Sequence, residues 1–312
     1  MKNRWFSLLL TILLFAACGK VSEIDGYGHA ELFSLQKNER GEVVSAEILS
    51  GGEIWRYRFC PREEGCAVLG DREFRVAVPL RRTAVCTTTV LALMEAVGAE
   101  EAVVGVDGDY TTIKSFRERI SRKEIPLLAE GMKLDREKLT ALKPEAVFFS
   151  PVGGDWEEAE KIISAGAVPV PIEDWRETTP LGRAQWAELE AAFFGKSIEA
   201  AALFGEIESR YEDIKAKISL RSHRPEVMFN LPANGQWRMP SGSSFSATAA
   251  REGGCFYLAP ETAAETVLFD LEGVFARFSS ASLWVLHSGS FQSRAEFENA
   301  ALSAFGDSRL AG

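Results

Sequence analysis

From residue 74 onward, short apolar runs alternate with segments of helical period. Thr83–Cys86, Val103–Val106, Ala146–Phe149 and Val168–Ile172 read as buried strands. Val90, Leu93, Met94 and Val97 repeat at helical spacing until Gly98 ends the run, and Arg136–Leu142 and Asp155–Ala165 are further predicted helices. Buried strands joined by helices predict a parallel sheet with right-handed crossovers. The order returns after residue 222: strand Glu226–Phe229, a loop at 230–244, a helix from Phe245, a strand near Cys255–Leu258, helix Asp270–Phe278, strand Ser282–Leu286 and helix Arg294–Phe305. Between the two halves, Ser197 to Leu220 reads as one unbroken helix. Phe204, Ile207, Tyr211, Ile214 and Ile218 fall at steps of three and four, hence on one stripe. Ser197 is expected to cap it, and Glu199 suits the positive end of its dipole. At 1.5 Å per residue this helix is roughly 35 Å long, the width of a small domain, and suits a strut.

Residues 27–73 follow a different grammar. Val44, Ala46 and Ile48, then Trp55, Tyr57 and Phe59, alternate on either side of Ser50-Gly51-Gly52, the pattern of hairpins. The predicted fold is therefore α/β: two Rossmann-like lobes with parallel sheets joined by one long rigid helix, plus a small β-rich N-terminal extension. The expected boundaries are 18–73 for the extension, 74–182 for the first lobe, 183–222 for the connecting helices and 223–312 for the second lobe. A weak internal repeat supports two lobes. Asp135-x-Glu137 opens a helix followed by an apolar strand and SPVGG, and Asp270-x-Glu272 opens one followed by SLWVL and HSG. The second lobe is expected to be truncated, lacking a last strand and closing helix.

Met1 to Ala17 carries Lys2 and Arg4 and then a short apolar run, too short for a comfortable membrane span, and reads as a secretion signal. It ends on small residues before Cys18, which is similar to a bacterial lipoprotein processing site with Cys18 lipidated. An unmodified signal is the alternative. Without residues 1–17 the chain has 33 Lys+Arg against 45 Asp+Glu, a net charge of −12, which argues against nucleic acid as a partner. Cys60 and Cys66 flank a short polar loop and can bridge in an oxidising compartment, whereas Cys86 and Cys255 lie in apolar runs and read as core.

Hydrolytic chemistry finds little support: there is no G-x-S-x-G elbow, and His29, His223 and His287 are far apart in the chain. The same scarcity disfavours a bare transition-metal site, and no phosphate-binding glycine loop or other cofactor motif is present. In open α/β sheets ligands bind at the carboxyl ends of the strands. The loops expected there carry Tyr110, Trp156, Trp175, Arg176, Trp237, Arg238, His287 and Phe291. Flat aromatic surfaces with arginine suit a bulky ligand bearing anionic groups, although any of these rings can equally be a plug over the sheet end. Trp186, spaced helically with Leu189, reads as core. Glu137 and Glu272 each suit a helix start electrostatically, but their matched positions also suit a two-point dock onto a symmetric basic partner.

The segments 81–106, GMKLDREKLTALKPEAVFFS (131–150), AGAVPVPIEDWRETTPLGRAQW (165–186), FFGK (193–196) and NGQWRMPSGSSF (234–245) together resemble the helical-backbone class of periplasmic substrate-binding proteins of ABC importers for ferric siderophores, haem and cobalamin. DWRETTPLGRAQW is similar to the branch found in Bacteroidetes-type lipoproteins. The resemblance implies a ligand held between two lobes, and one surface glutamate per lobe, Glu137 and Glu272, meeting arginines of a permease dimer. It also implies cleft contacts from Thr88, Tyr110, Trp175 and Trp237; Arg176, Arg238 and His287 complete the expected ligand-binding set. The leading expectation is a monomeric, membrane-anchored lipoprotein, periplasmic or on the cell surface, that captures an iron chelate or corrinoid without making or breaking a bond. The alternatives are a surface interaction lipoprotein without transport and a two-lobed metal-cofactor enzyme.

Overall fold

The computed structural model describes residues 23–130, 133–151, 156–233, 236–262, 265–286 and 293–305. The extension is a five-stranded sheet of β1 (Phe33–Lys37), β2 (Val43–Ser50), β3 (Glu53–Pro61), β4 (Ala67–Gly70) and β5 (Glu73–Val78), in the order β1-β2-β3-β5-β4. Its last strand in sequence thus reaches past residue 73. Cys60 and Cys66 are free thiols on either side of β5: Cys60 Sγ donates to the Val76 carbonyl and Cys66 Sγ accepts from the Ala77 amide.

The first lobe continues with β6 (Thr83–Val85), α1 (Thr88–Ala96), β7 (Val103–Val106), α2 (Lys114–Ser121), the small hairpin β8 (Ala129–Glu130) and β9 (Lys133–Leu134), α3 (Arg136–Leu142), β10 (Ala146–Phe149), α4 (Trp156–Ser164) and β11 (Val168–Pro171). Strands β11-β10-β6-β7 form one parallel sheet in that order. Every residue of β10 and β11 is buried, which explains their unbroken apolar character. Proline is tolerated in β11 because it is an edge strand. The amides of Val168 and Ile172 point at β10, so Pro169 and Pro171 occupy the outward positions where no ladder bond is lost. The freed edge is used, since the Tyr57 hydroxyl of the extension donates to the Pro169 carbonyl at 2.8 Å.

Extension and first lobe share one core, in which Phe33, Trp55, Tyr57 and Phe74 join Phe148, Trp186 and Phe193. Polar fastening completes the joint. Helix α5 (Pro180–Ala192) presents Gln185, whose Oε1 accepts from the amides of His29 and Ala30 at 2.6 and 3.2 Å. The Glu177 carboxylate accepts from the amides of Glu31 and Leu32 and from the Trp186 indole. Gly182 is needed here, because a Cβ would lie 2.7 Å from the His29 carbonyl oxygen.

Gly195, at φ +66°, turns the chain into α6 (Ser197–Ser219), the expected strut. Ser197 is its first helical residue rather than its cap; Lys196 precedes it and no side-chain cap bond forms. The predicted apolar stripe is only partly covered: Phe204 is buried beside His29 of the extension, with Ala200 packed near it on Leu93, Val97 and Ala191, while Ile207 and Ile214 are exposed. A helix that touches one lobe at each end needs little burial in its middle. At the far end Tyr211 and Lys215 bind Glu252 of the second lobe.

The second lobe comprises β12 (Val227–Phe229), β13 (Pro232–Ala233), β14 (Gln236–Pro240), α7 (Phe245–Glu252), β15 (Thr266–Phe269), α8 (Leu271–Phe278), β16 (Leu283–Val285) and α9 (Arg294–Phe305). Strands β12 and β16 pair in parallel, and β13-β14-β15 form an antiparallel sheet. Two expectations change here. The loop at 230–244 contains a hairpin, and the strand near Cys255–Leu258 reduces to a single bridge between Glu226 and Phe256. In β14 the order Gln236, Trp237, Arg238, Met239 is a period-two alternation, with Trp237 and Met239 inward. Cys86 and Cys255 are half-buried and pack against the edges of their cores.

Candidate ligand-binding cleft

A cavity of about 640 Å³ opens between the lobes, within the range that holds small-molecule ligands. One wall is the connection after β11, with Trp175, Arg176, Glu177 and Thr178, joined by Arg183 of α5. The other is built from the second lobe by Asn230, Pro240 to Phe245 apart from Gly242, Ser246, Thr262, Glu265 and Thr266. A single turn of 3-10 helix at Asp174–Arg176 aims the first wall. Ser244 starts α7 by accepting the Ala247 amide at 3.3 Å, the cap expected where serine precedes an apolar helix.

The serine turn is held firmly. The Ser241 amide donates to the Glu265 carbonyl at 2.8 Å, the Ser243 hydroxyl to the Thr262 carbonyl at 2.5 Å, and the Ser244 hydroxyl to the Ser241 carbonyl at 2.7 Å. Gly242 permits the close approach, since a Cβ there would stand 2.5 Å from the Ala259 carbonyl oxygen. Its own carbonyl accepts from Arg251 at 2.6 Å. Behind the first wall, Glu173 is buried with its Oε1 bonded to the Ser50 hydroxyl, and an ion pair to Arg176 at 3.7 Å reaches the same oxygen. Burial pushes the Glu173 carboxyl above its ordinary range against these two partners. Burial also lowers the pKa of Arg183, opposed by the charges of Asp174, Glu265 and Glu177.

A cleft between two α/β lobes spanned by one helix can enclose a solute without a catalytic group. A family model described as periplasmic binding protein matches residues 84–254, more than half of the chain. The chain belongs to the periplasmic binding protein family. The match runs from β6 through α6 to just past α7, and so includes both cleft walls up to the serine turn. Among proteins with curated records, this periplasmic binding protein is 30% identical over 191 residues to an uncharacterized lipoprotein of Methanocaldococcus jannaschii, a match covering 57% of this chain and 45% of that one. The chain thus spans under half the length of that relative. Among solved structures, the haem-binding protein HutB of Vibrio cholerae aligns with a TM-score of 0.58 at 19% identity, covering 72% of this chain and 84% of that one. A possible iron-binding protein of Staphylococcus epidermidis gives 0.59 at 13%, covering 73% and 84%. The vitamin B12-binding protein BtuF of Vibrio cholerae gives 0.50 at 14%, covering 73% and 85%. At such identities these likenesses establish the fold: two lobes with parallel sheets.

Of the ligand residues expected from the sequence, Trp175 and Arg176 line the cleft of this binding protein. Arg238 stands exposed beside it, its Nη1 reaching Thr266 Oγ1 at 3.4 Å. Trp237 does not belong to the cleft: it is buried in the second lobe, and its indole donates to the Phe229 carbonyl at 2.8 Å. Thr88 is exposed at the first position of α1 and Tyr110 is exposed with its ring over Gly108; neither lines the cavity. The sheet order explains this, because β6 and β7 lie two and three strands from β11, a lateral offset of about 10–15 Å. His287, Phe291 and Cys18 lie outside the described residues, as does the side chain of Trp156. Glu137 and Glu272 are exposed at the second positions of α3 and α8, each just after an aspartate cap, Asp135 and Asp270. Arg183, Phe245 and the serine turn escaped the sequence reading, although Ser-Gly-Ser-Ser before an apolar helix start was a visible capping signal.

A second hollow of about 370 Å³ lies at the far end of α6, lined by Lys215, Arg221, Arg224, Arg251 and Glu252 among others. Arg224 there covers the ring of Phe256 at 4.5 Å. Lys215 is paired with Glu212 and Glu252, and its cationic form is favoured chiefly by the bond to Glu252.

Proposed function

We propose that this chain is the solute-capturing component of an ABC importer, a lipoprotein anchored through Cys18 that holds an iron chelate or corrinoid in the inter-lobe cleft. The resemblance to Bacteroidetes-type lipoproteins belongs to the same reading. The single observation that carries it is the cavity whose two walls come from different lobes, with Trp175 half-exposed on one and the serine turn on the other. Neighbours of the same fold are described as haem-binding, vitamin B12-binding and possible iron-binding proteins, which supports this ligand class. No bond is made or broken; capture is by burial and hydrogen bonding, and release follows from docking. The docking points are Glu137 and Glu272, both free to meet arginines of a permease dimer, with the binding protein itself a monomer. Thr88 and Tyr110 belong to the proposed ligand set only for a ligand large enough to extend beyond the cavity; His287, outside the described residues, is kept in that set.

Quenching of tryptophan fluorescence by haem, cobalamin, ferric citrate and ferrichrome tests the ligand class: at least one saturates the protein, and failure of all four removes the reading. Replacing Glu137 and Glu272 together by alanine is expected to lower uptake by cells about tenfold or more while changing the dissociation constant less than about twofold. A comparable loss of affinity would place these residues in binding, not docking.

A further inference from the structure

Arg183 differs from the other cations of the cleft in how it is held. It leaves the first turn of α5, and its Nε donates to the Asp174 carbonyl at 3.1 Å. Its Nη2 donates to the carbonyls of Trp175 at 2.6 Å and Glu177 at 3.5 Å. These three carbonyls belong to the first-lobe wall, so the guanidinium is fixed in that wall as a rigid plate. Its Nη1 takes part in none of these bonds. The plate lies 3.7 Å from the ring centroid of Phe245, the first residue of α7 in the second lobe. One side chain is thus anchored in one lobe, stacked on the other, and exposed to the cavity between them.

The charge is incompletely matched. Among the described residues Arg183 forms no ion pair within 4 Å, and the nearby Glu177 carboxylate is already occupied by two backbone amides and an indole. The charges of Asp174, Glu265 and Glu177 reach this partly desolvated guanidinium, but among the described residues none of the three closes to an ion pair and Nη1 carries no bond, which favours a ligand that brings an anionic group into direct contact, in the planar geometry that arginine recognises and lysine does not. Around it the cavity offers four serines, three threonines, an asparagine, Arg176 and the carboxylates of Glu177 and Glu265, together with the apolar side chains of Trp175, Pro240 and Phe245, so hydrogen-bonding groups surround the guanidinium on both walls.

We propose that Arg183 is the specificity-determining anchor of the cleft: Nη1 receives an anionic oxygen of the solute, and the stack on Phe245 makes that anchor complete only when the lobes meet. The inference rests on the solute-capture reading and narrows it to anionic, oxygen-rich metal chelates.

Ferric citrate serves as the anionic, oxygen-rich probe and ferrichrome as the uncharged one; cobalamin is a further competitor, and haem brings anionic propionates on an apolar ring. Wild-type protein is expected to bind ferric citrate most tightly. Arg183→Lys, with Arg183→Gln as a second variant and circular dichroism to verify folding, should weaken ferric citrate about 10–100-fold and ferrichrome less than about threefold. Phe245→Leu should weaken both about equally and raise the dissociation rate, because it removes the inter-lobe stack but not the charge. Equal losses for both probes in Arg183→Lys, no loss for ferric citrate, or a wild-type preference for ferrichrome or cobalamin would each overturn the anchor role and leave solute capture standing. Failure of all four probes on wild type removes both.

Discussion

The first lobe is a finished piece of packing and the second, as far as it is described, is a sparse one. In the first, β10 and β11 are buried at every position, and the core extends without a break into the N-terminal sheet. In the second, a two-stranded parallel pair and a three-stranded antiparallel sheet share a core of nine buried residues among those described. Leu268 is 50% exposed, and Phe275 and Leu283 are each 43% exposed. Parallel strands are ordinarily covered on both faces, so the second lobe draws less stability from its own burial. The contrast assigns the lobes different work. The first supplies a rigid wall with a fixed arginine, and the second meets that arginine across the cleft with Phe245.

The largest expected effect comes from deleting a core ring in each lobe. Phe148 touches Phe193 and Phe194, and Phe148→Ala should cost about 3–5 kcal/mol and lower the main calorimetric transition. Trp237→Ala removes a comparable volume, yet its loss should be confined to a separate, lower transition of the second lobe. A single merged transition in both variants would erase the distinction between the lobes.

Next in size is Gly182→Ala, which drives a methyl against the His29 carbonyl. The overpacking of about 1–3 kcal/mol exceeds a helix-propensity gain of about 1 kcal/mol. The expected sign is faster proteolytic nicking near residues 26–32 with the second lobe unaffected. Unchanged cleavage would mean that the extension is held less closely than the geometry indicates.

The comparison also explains what the sequence made legible. AVFF and TAV announced buried strands because a sheet covered on both faces needs no alternation, and α6 declared itself by length and by Gly195. QWRMP did not, because flanking Pro, Asn and Gly read as loop grammar, although its alternation correctly marks Trp237 and Met239 as inward. Arg183 was hidden for a different reason: a charge in an amphipathic helix reads as a solvated face, and only the fold brings Phe245 to it. Thr88 and Tyr110 stand away from the cavity because chain order does not give the lateral order of strands.

The smallest effect concerns pH. Glu190 of α5 is buried, and that burial, with the charge of Asp174 in addition, pushes its carboxyl well above the ordinary range. Native protein therefore retains a proton that the unfolded chain releases near pH 4.3, so this group's contribution to stability falls as pH rises from there toward the raised native value. Glu190→Gln removes that penalty. Its melting temperature should exceed wild type at pH 8 and coincide with it near pH 4. A lower melting temperature at pH 8 would show that the carboxyl is ionised and paired in the native state.

The most direct measurement is hydrogen–deuterium exchange on the whole chain with and without saturating ferric citrate, or whichever of the four probes binds most tightly. Protection gained together at 174–183 in the first lobe and at 241–246 and 265–266 in the second is the expected result. Protection confined to one lobe, or gained around 215–224 and 251–254 at the far end of α6, would contradict a solute held between the lobes.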